Sequence, residues 1–229
     1  MAIETTYFTG TTAEANYAEV SAWLTANAAE YFDTIDIPSG AQEVSCKVGD
    51  VTALKLDWGT DYEVQRSFQV TAKNGANINS GWRYVHDKCC WRYGYKTDNG
   101  IAICNNQTNA FQSSIFISKD NNGDLIFAVL KPDSPNFNSP SNRAEFLDFN
   151  SLASIKTEGS NNSDPLARHR INGALTASMT ALVPIVSDVK TYCDKVVTTP
   201  FSQYSNLCWG TIDVSGTKYV YNGVFALKE

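Results

Sequence analysis

The chain contains only two histidines, His86 and His169, so any reaction that needs an imidazole base must use one of them. His169 lies between two arginines, and the Gly-x-Ser-x-Gly turn that presents a nucleophilic serine is absent from the sequence. His86 is close to Cys89, but nothing nearby in the sequence would orient its ring for catalysis. We therefore predict no catalytic residues and expect both histidines to be surface or half-buried side chains.

One group of residues has the side-chain types that bind zinc, namely His86, Cys89, Cys90 and Cys104. Adjacent residues of a strand point to opposite faces of a sheet, so Cys89 and Cys90 cannot readily bind one tetrahedral ion unless the strand is bulged. We predict packed free thiols here, with no metal and no cofactor.

Acidic residues suggest two further kinds of chemistry. Residues 120–124 supply several oxygen ligands, as a calcium loop would, but the glycine is misplaced for an EF-hand and no acidic residue closes the loop. We predict an ordinary hairpin turn there. Paired-acid hydrolysis remains an alternative, with Asp57, Asp61 and Glu63 among the candidate carboxylates. The two common glycine-rich motifs that bind nucleotide phosphates are absent from the sequence.

Aromatic residues are concentrated between positions 82 and 95. On extended strands, Trp82 and Tyr84 would share one face, and Trp91, Tyr93 and Tyr95 would share another, with basic residues pointing the opposite way. We predict that these aromatic residues fill the core. The alternative is an exposed platform for sugar rings or for a partner surface, in which case the same five residues are the binding site. Single-stranded nucleic acid also stacks on aromatic rings, but the acidic chain disfavours it.

Charge and composition exclude several classes of protein. The 229 residues are 43% hydrophobic and 18% charged, which is typical of a globular chain with a full core. A formal net charge of −6 argues against nucleic acid as a partner, because phosphate binding is driven by lysine and arginine. We expect no signal peptide and no membrane anchor, since neither a basic and apolar leader nor a run of ~20 apolar residues is present. The six cysteines are sparse and irregularly spaced, so we expect reduced thiols.

Hydrophobic periodicity predicts one helix followed by strands. Residues 11–32 repeat apolar side chains every three or four positions, with Thr11 or Thr12 as the N-cap. Afterwards the period is two, and turns are predicted at 49–50, 98–100 and 119–123. The fold class is therefore α+β, predominantly antiparallel β, sandwich- or barrel-like, with an N-terminal amphipathic helix. We predict a single domain over 1–229, with a candidate seam at the proline-rich residues 131–142.

The C-terminal sequence predicts a specific hairpin. With a turn at Ser215-Gly216, Val214 faces Thr217 and Asp213 faces Lys218, and two further pairs continue the ladder. A bend at 222–223 then leads into a last strand over 224–227.

The C-terminal part contains TPFSQY at 199–204, GTIDV at 210–214 and KYVYNGVFAL at 218–227. With these segments it resembles the closing segment of virion structural proteins from tailed phages and prophages of Gram-positive bacteria. The resemblance implies a β-rich protein that acts by assembly, and it carries no catalytic residues over to this chain.

We predict a non-enzymatic structural component of a phage or phage-derived particle, of the tail or capsid, that acts by subunit assembly. Its partners would be other virion subunits and further copies of itself, and it would be located in the virion after synthesis in the host cytoplasm. The alternatives are a carbohydrate-binding module that uses the aromatic sheet face and binds a glycan, and a hydrolase with an unidentified carboxylate or histidine site.

Overall fold

The computed structural model describes residues 2–57, 68–79, 91–105, 113–132, 142–150, 154–156, 193–198, 210–214, 216–222 and 225–229. These residues form one helix, α1 (Ala13–Asn27), and sixteen strands. In chain order the strands are β1 (Glu4–Tyr7), β2 (Thr34–Asp36), β3 (Glu43–Val48), β4 (Val51–Asp57), β5 (Phe68–Thr71), β6 (Asn77–Asn79), β7 (Trp91–Thr97), β8 (Gly100–Asn105), β9 (Ser114–Lys119), β10 (Leu125–Pro132), β11 (Asn142–Asp148), β12 (Ser154–Lys156), β13 (Val196–Thr198), β14 (Gly210–Val214), β15 (Thr217–Tyr221) and β16 (Phe225–Lys228).

The strands form three antiparallel sheets. The seven-stranded sheet has the order β1-β7-β8-β9-β10-β11-β12, the five-stranded sheet β2-β3-β4-β5-β6, and the four-stranded sheet β13-β16-β15-β14. Every strand pairing is antiparallel. The predicted fold class, mostly antiparallel β with one N-terminal helix, is confirmed.

The seven-stranded sheet is the middle layer, because both of its faces are apolar. On one face, Ile103, Ile117 and Phe127 pack with residues of α1 and of the five-stranded sheet, and we call this the helix-side core. On the other face, Phe116 and Phe146 pack with residues of the four-stranded sheet, and we call this the C-terminal core. Strands buried on both faces lose the strict alternation of apolar and polar residues, which is why β8 and β10 read as continuous apolar runs.

The helix is shorter than predicted. The Thr12 hydroxyl caps α1 by accepting a hydrogen bond from the Ala15 N–H at 3.2 Å, as the sequence indicated. The helix ends at Asn27, however, and the predicted end at residue 32 is wrong. The chain must reverse to enter β2 at Thr34, and Tyr31 and Phe32 reach the helix-side core through this turn instead of through further helix.

The predicted hairpins are confirmed where the structure describes them. Strands β3 and β4 meet at Gly49-Asp50, β7 and β8 at Asp98-Asn99, and β9 and β10 across residues 120–124. The C-terminal hairpin has the predicted register, with Val214 opposite Thr217 and Asp213 opposite Lys218. The predicted strand over 82–86 lies outside the described residues.

The strands that flank the proline-rich residues 131–142 are neighbours. Strand β10 ends at Pro132 and pairs with β11 along its length, from Ile126 opposite Asp148 to Pro132 opposite Asn142. The two sides of the candidate seam therefore contribute adjacent strands to one sheet. The single-domain assignment stays a prediction. The helix formed by the described residues is too short and too polar to cross a bilayer.

Candidate functional site

Three of the five predicted aromatic site residues, Trp91, Tyr93 and Tyr95, lie on β7. The other two, Trp82 and Tyr84, lie outside the described residues, as do His86, Cys89, Cys90 and His169. Strand β7 is the second strand of the seven-stranded sheet and pairs with the edge strand β1.

A bulge in β7 separates Trp91 from the two tyrosines. Trp91 is opposite Asn105 and Tyr93 is opposite Cys104, so Arg92 is an extra residue in the strand. The extra residue shifts the alternation of side chains, and Trp91 points into the helix-side core while Tyr93 and Tyr95 point to the C-terminal core. The prediction that all three share one face is therefore wrong, because period-two counting assumes an unbroken ladder.

Trp91 is a core residue. Its side chain is 2% exposed, and its ring packs on Phe68 with a centroid distance of 6.3 Å. Its main-chain carbonyl accepts a hydrogen bond from the Asn16 side-chain amide of α1 at 2.7 Å. Helix α1 thus holds the backbone beside the bulge, and the Trp91 ring is packed in the helix-side core.

Polar contacts hold the segment between β1 and α1 beside the bulge. The Arg92 guanidinium donates to the Gly10 carbonyl oxygen at 3.1 Å, and the Glu19 carboxylate accepts from the N–H groups of Thr9 and Gly10 at 2.7 and 3.0 Å. The hydrogen bond from Gly10 is the main cause that lowers the pKa of Glu19. Strand β1 is therefore anchored at its C-terminal end.

Three tyrosines form a row on the C-terminal-core face, which we call the tyrosine row: Tyr95, Tyr93 and Tyr7. The ring centroids of Tyr95 and Tyr93 are 6.1 Å apart, and those of Tyr93 and Tyr7 are 5.2 Å apart. Exposure rises along the row, from 6% for Tyr95 through a half-buried Tyr93 to 54% for Tyr7. The row runs from the C-terminal core to the edge of the sheet, and its last ring lies in solvent.

The backbone of β1 presents hydrogen-bonding groups at the same edge. Phe8 donates its N–H to the Arg92 carbonyl oxygen at 2.8 Å. Because hydrogen-bonding direction alternates along an antiparallel strand, Glu4 and Thr6 also face β7, while Thr5 and Tyr7 direct their N–H and C=O groups away from it. Thr5 and Tyr7 are exposed, and within the part of the chain that the structure describes no other strand pairs with this side of β1.

Tyr7 is a site residue that the sequence patterns above do not predict. The run Ile3-Glu4-Thr5-Thr6-Tyr7, with its β-branched and aromatic residues, is a strand signal that could have placed it. Nothing in the sequence could have shown that Tyr7 meets Tyr93, which is 86 positions away by numbering and is brought close only by the β1–β7 register.

The described thiols are buried and protonated at neutral pH. Cys46, Cys104 and Cys193 are free, and burial raises the pKa of each thiol. Of the four zinc candidates His86, Cys89, Cys90 and Cys104, only Cys104 is described, and it packs in the C-terminal core. Within the described ranges no cluster of three histidine, cysteine, aspartate or glutamate side chains could hold a metal ion.

The acidic candidates are used in local structure. Asp120 is buried, and one of its carboxylate oxygens accepts from the N–H groups of Asn122 and Asp124 at 2.8 Å each, which is the geometry of a hairpin turn. Asp57 lies 3.3 Å from the Lys55 ammonium. The other two hydrolase candidates, Asp61 and Glu63, lie outside the described residues.

No protein-family model, no curated protein and no solved structure matches this chain.

Proposed function

We propose that this protein is a structural component of a phage or phage-derived particle, of the tail or capsid, and that it acts by subunit assembly. The observation that supports the proposal best is the accessible edge of β1, where outward-directed backbone groups lie beside the exposed Tyr7 ring. The C-terminal resemblance to virion structural proteins is our reason for proposing a phage particle as the assembly.

An accessible strand edge with an aromatic side chain is suited to binding another protein. Its N–H and C=O groups are a template for one more strand, and natural proteins usually cover or charge such edges when they are not used. Tyrosine is enriched at the centres of protein interfaces because a large ring is buried at little cost in side-chain entropy. Anchoring of β1 by Arg92 and Glu19 keeps this edge preformed.

The carbohydrate-binding alternative has less support from the described aromatic residues. Trp91 and Tyr95 are buried, and only Tyr93 of the three is partly accessible. The rings of Tyr93 and Tyr7 are inclined by 59°, so they do not form one flat surface for a sugar ring. Glycan binding and hydrolysis stay hypotheses.

The proposed function is tested by isolating particles from the organism that encodes the chain. Particles are induced, banded on a density gradient and analysed by quantitative mass spectrometry, with an abundant host protein of similar mass as the control for contamination. We expect the chain to co-band at a constant ratio to known capsid or tail proteins. A chain that is abundant in the lysate but depleted from the band like the host control would overturn the proposal.

A further inference from the structure

We propose that β1 pairs with β1 of a second copy of this chain, antiparallel and with Thr5 on the two-fold axis, so that two seven-stranded sheets become continuous. This inference rests on the proposed function and names the partner at the same edge. Thr5 and Tyr7 already direct their backbone groups outward, so both can form hydrogen bonds with a second strand at this edge.

The symmetry restricts the register to a few choices. A two-fold axis perpendicular to the sheet reverses the strand but keeps each sheet face on the same side. Directly opposite residues of an antiparallel pair have their side chains on the same side of the sheet. The axis must therefore lie midway between the two copies of one residue, which is then opposite itself. With Thr5 on the axis, Ile3 faces Tyr7 of the second copy, and Glu4 faces Thr6 of the second copy.

The side chains select the Thr5 register. Ile3 is half-buried against the C-terminal core, and Tyr7 is the exposed end of the tyrosine row on the same face, so each copy covers the other's ring with an aliphatic side chain. An axis through Glu4 would place two carboxylates directly opposite each other, which is destabilising. An axis through Thr6 would place Tyr7 opposite Thr5 and would leave Ile3 without an apolar counterpart within β1.

A second copy suits this edge because the edge is complementary to itself. In the Thr5 register each outward N–H of Thr5 and Tyr7 meets an outward C=O of the other copy, and no like charges face each other. Thr5 then lies at the centre of an isologous interface, and the exposed Tyr7 rings of the two copies, each 5.2 Å from its neighbour Tyr93, lie on either side of it.

The first test uses sedimentation velocity on the full chain over a concentration series. Thr5→Pro removes the outward N–H at the axis, and because that N–H makes no bond to β7, the variant should fold. Thr5→Val keeps the N–H and is the matched control, and circular dichroism checks folding. We expect wild type and Thr5→Val to form dimers and Thr5→Pro to be monomeric with the circular dichroism spectrum of the folded protein. A monomeric wild type, or a dimeric and folded Thr5→Pro, would overturn the inference.

The second test reads the register and does not depend on proline. In the Thr5 register the two Thr5 Cα atoms should be about 5.5 Å apart, within the range that a disulfide spans. Thr5→Cys should therefore form a disulfide-linked dimer under mild oxidation, identified by mass spectrometry of the linked N-terminal peptide. Glu4→Cys is the control, because its two copies are displaced along the strands and should not link. Linkage of Glu4→Cys without linkage of Thr5→Cys would contradict the register.

The two proposals fail separately. If the chain co-bands with particles but is monomeric as purified, β1 self-pairing is contradicted and the assembly function is still supported. If the chain dimerises through β1 but is depleted from particles, the virion assignment is contradicted and the self-pairing is still supported.

Discussion

The side-chain amide of Asn16 donates a hydrogen bond to the main-chain carbonyl of Trp91 at 2.7 Å, and both residues are buried. This contact joins α1 to the bulge of β7, the irregularity that turns Trp91 towards the helix-side core and leaves Tyr93 and Tyr95 on the other face. A buried polar contact therefore helps decide which aromatic residues can reach the sheet edge.

Replacing Asn16 should destabilise the protein. Asn16→Ala leaves the Trp91 carbonyl without its donor, and we expect the free energy of unfolding to fall by about 1–3 kcal/mol in urea denaturation. Asn27→Ala is a matched control, because Asn27 also donates to a tryptophan carbonyl, that of Trp23, but at the end of the same helix and in a less buried position. The control should change stability by less than about 0.5 kcal/mol. Equal losses in the two variants would contradict the role assigned to Asn16.

Truncating Trp91 to alanine should reduce the stability of the protein far more than truncating Tyr7. Trp91→Ala empties a core position, and we expect a loss of about 3–5 kcal/mol in the free energy of unfolding. In the monomer the Tyr7 ring is mostly in solvent, so Tyr7→Ala should change the free energy of unfolding of the monomer by less than about 1 kcal/mol. Chemical denaturation of both variants checks this. A stable Trp91→Ala variant that loses binding on a glycan array would instead favour the carbohydrate-binding alternative.

Two strand glycines are required by close packing, to different degrees. A Cβ atom at Gly100 would lie 2.5 Å from the carbonyl oxygen of Ile117, which is backbone and cannot move aside. A Cβ at Gly94 would lie 2.7 Å from the ring of Trp23, which is half-buried and can shift. We expect Gly94→Ala to cost about 1–3 kcal/mol and Gly100→Ala to cost more, as measured by thermal and urea denaturation. A larger loss for Gly94→Ala than for Gly100→Ala would contradict this prediction, because it would show that the Ile117 backbone moves more easily than the Trp23 ring.

A buried ion pair connects β10 with β11 and with the five-stranded sheet. The Lys131 ammonium lies 3.0 Å from the Glu145 carboxylate and donates to the Asn79 carbonyl oxygen of β6 at 2.6 Å. Lys131→Met should cost about 3–5 kcal/mol, because it removes the Lys131 cation from beside the buried Glu145 carboxylate.

The double variant Lys131→Met/Glu145→Leu should recover much of that loss, since two apolar side chains of similar volume need no partner. A double-mutant cycle by urea denaturation measures the recovery. Additive losses in the cycle would show that the two side chains are not energetically coupled.

The buried thiols predict a loss of stability in alkali. Burial raises the pKa of Cys46, Cys104 and Cys193 above the ordinary value of 9.0. The unfolded chain therefore releases these thiol protons near pH 9 while the folded chain keeps them. The stabilisation is fully present below pH 9 and is lost as the pH rises above it. Urea denaturation between pH 7.5 and about 9.5 should show the decline, since thiols titrate from about 8.5 upwards.

The triple variant with alanine at these three positions is the control for that decline, which should then be shallower. Iodoacetamide at pH 8, followed by peptide mapping, gives an independent check: the three thiols should stay unmodified in the folded protein and react after unfolding. Modification of Cys104 in the folded protein would contradict its buried position.

Local sequence patterns were sufficient for the helix start and for the hairpins. The Thr12 cap, the turn at Gly49-Asp50 and the C-terminal ladder around Asp213 and Lys218 depend on residues a few positions apart, so side-chain period and turn chemistry predict them. For the same reason the sequence by itself determined the fold class, one helix followed by antiparallel hairpins.

Contacts between residues far apart in sequence were decided only by the tertiary structure. The helix end at Asn27 depends on how Tyr31 and Phe32 reach the core, and the bulge at Arg92 depends on contacts with β1 and α1. Period-two counting cannot register an extra residue in a strand, and it therefore placed Trp91 on the wrong face. The tyrosine row, and with it the edge that we propose for assembly, exists because β1 pairs with β7, and no short stretch of sequence encodes that pairing.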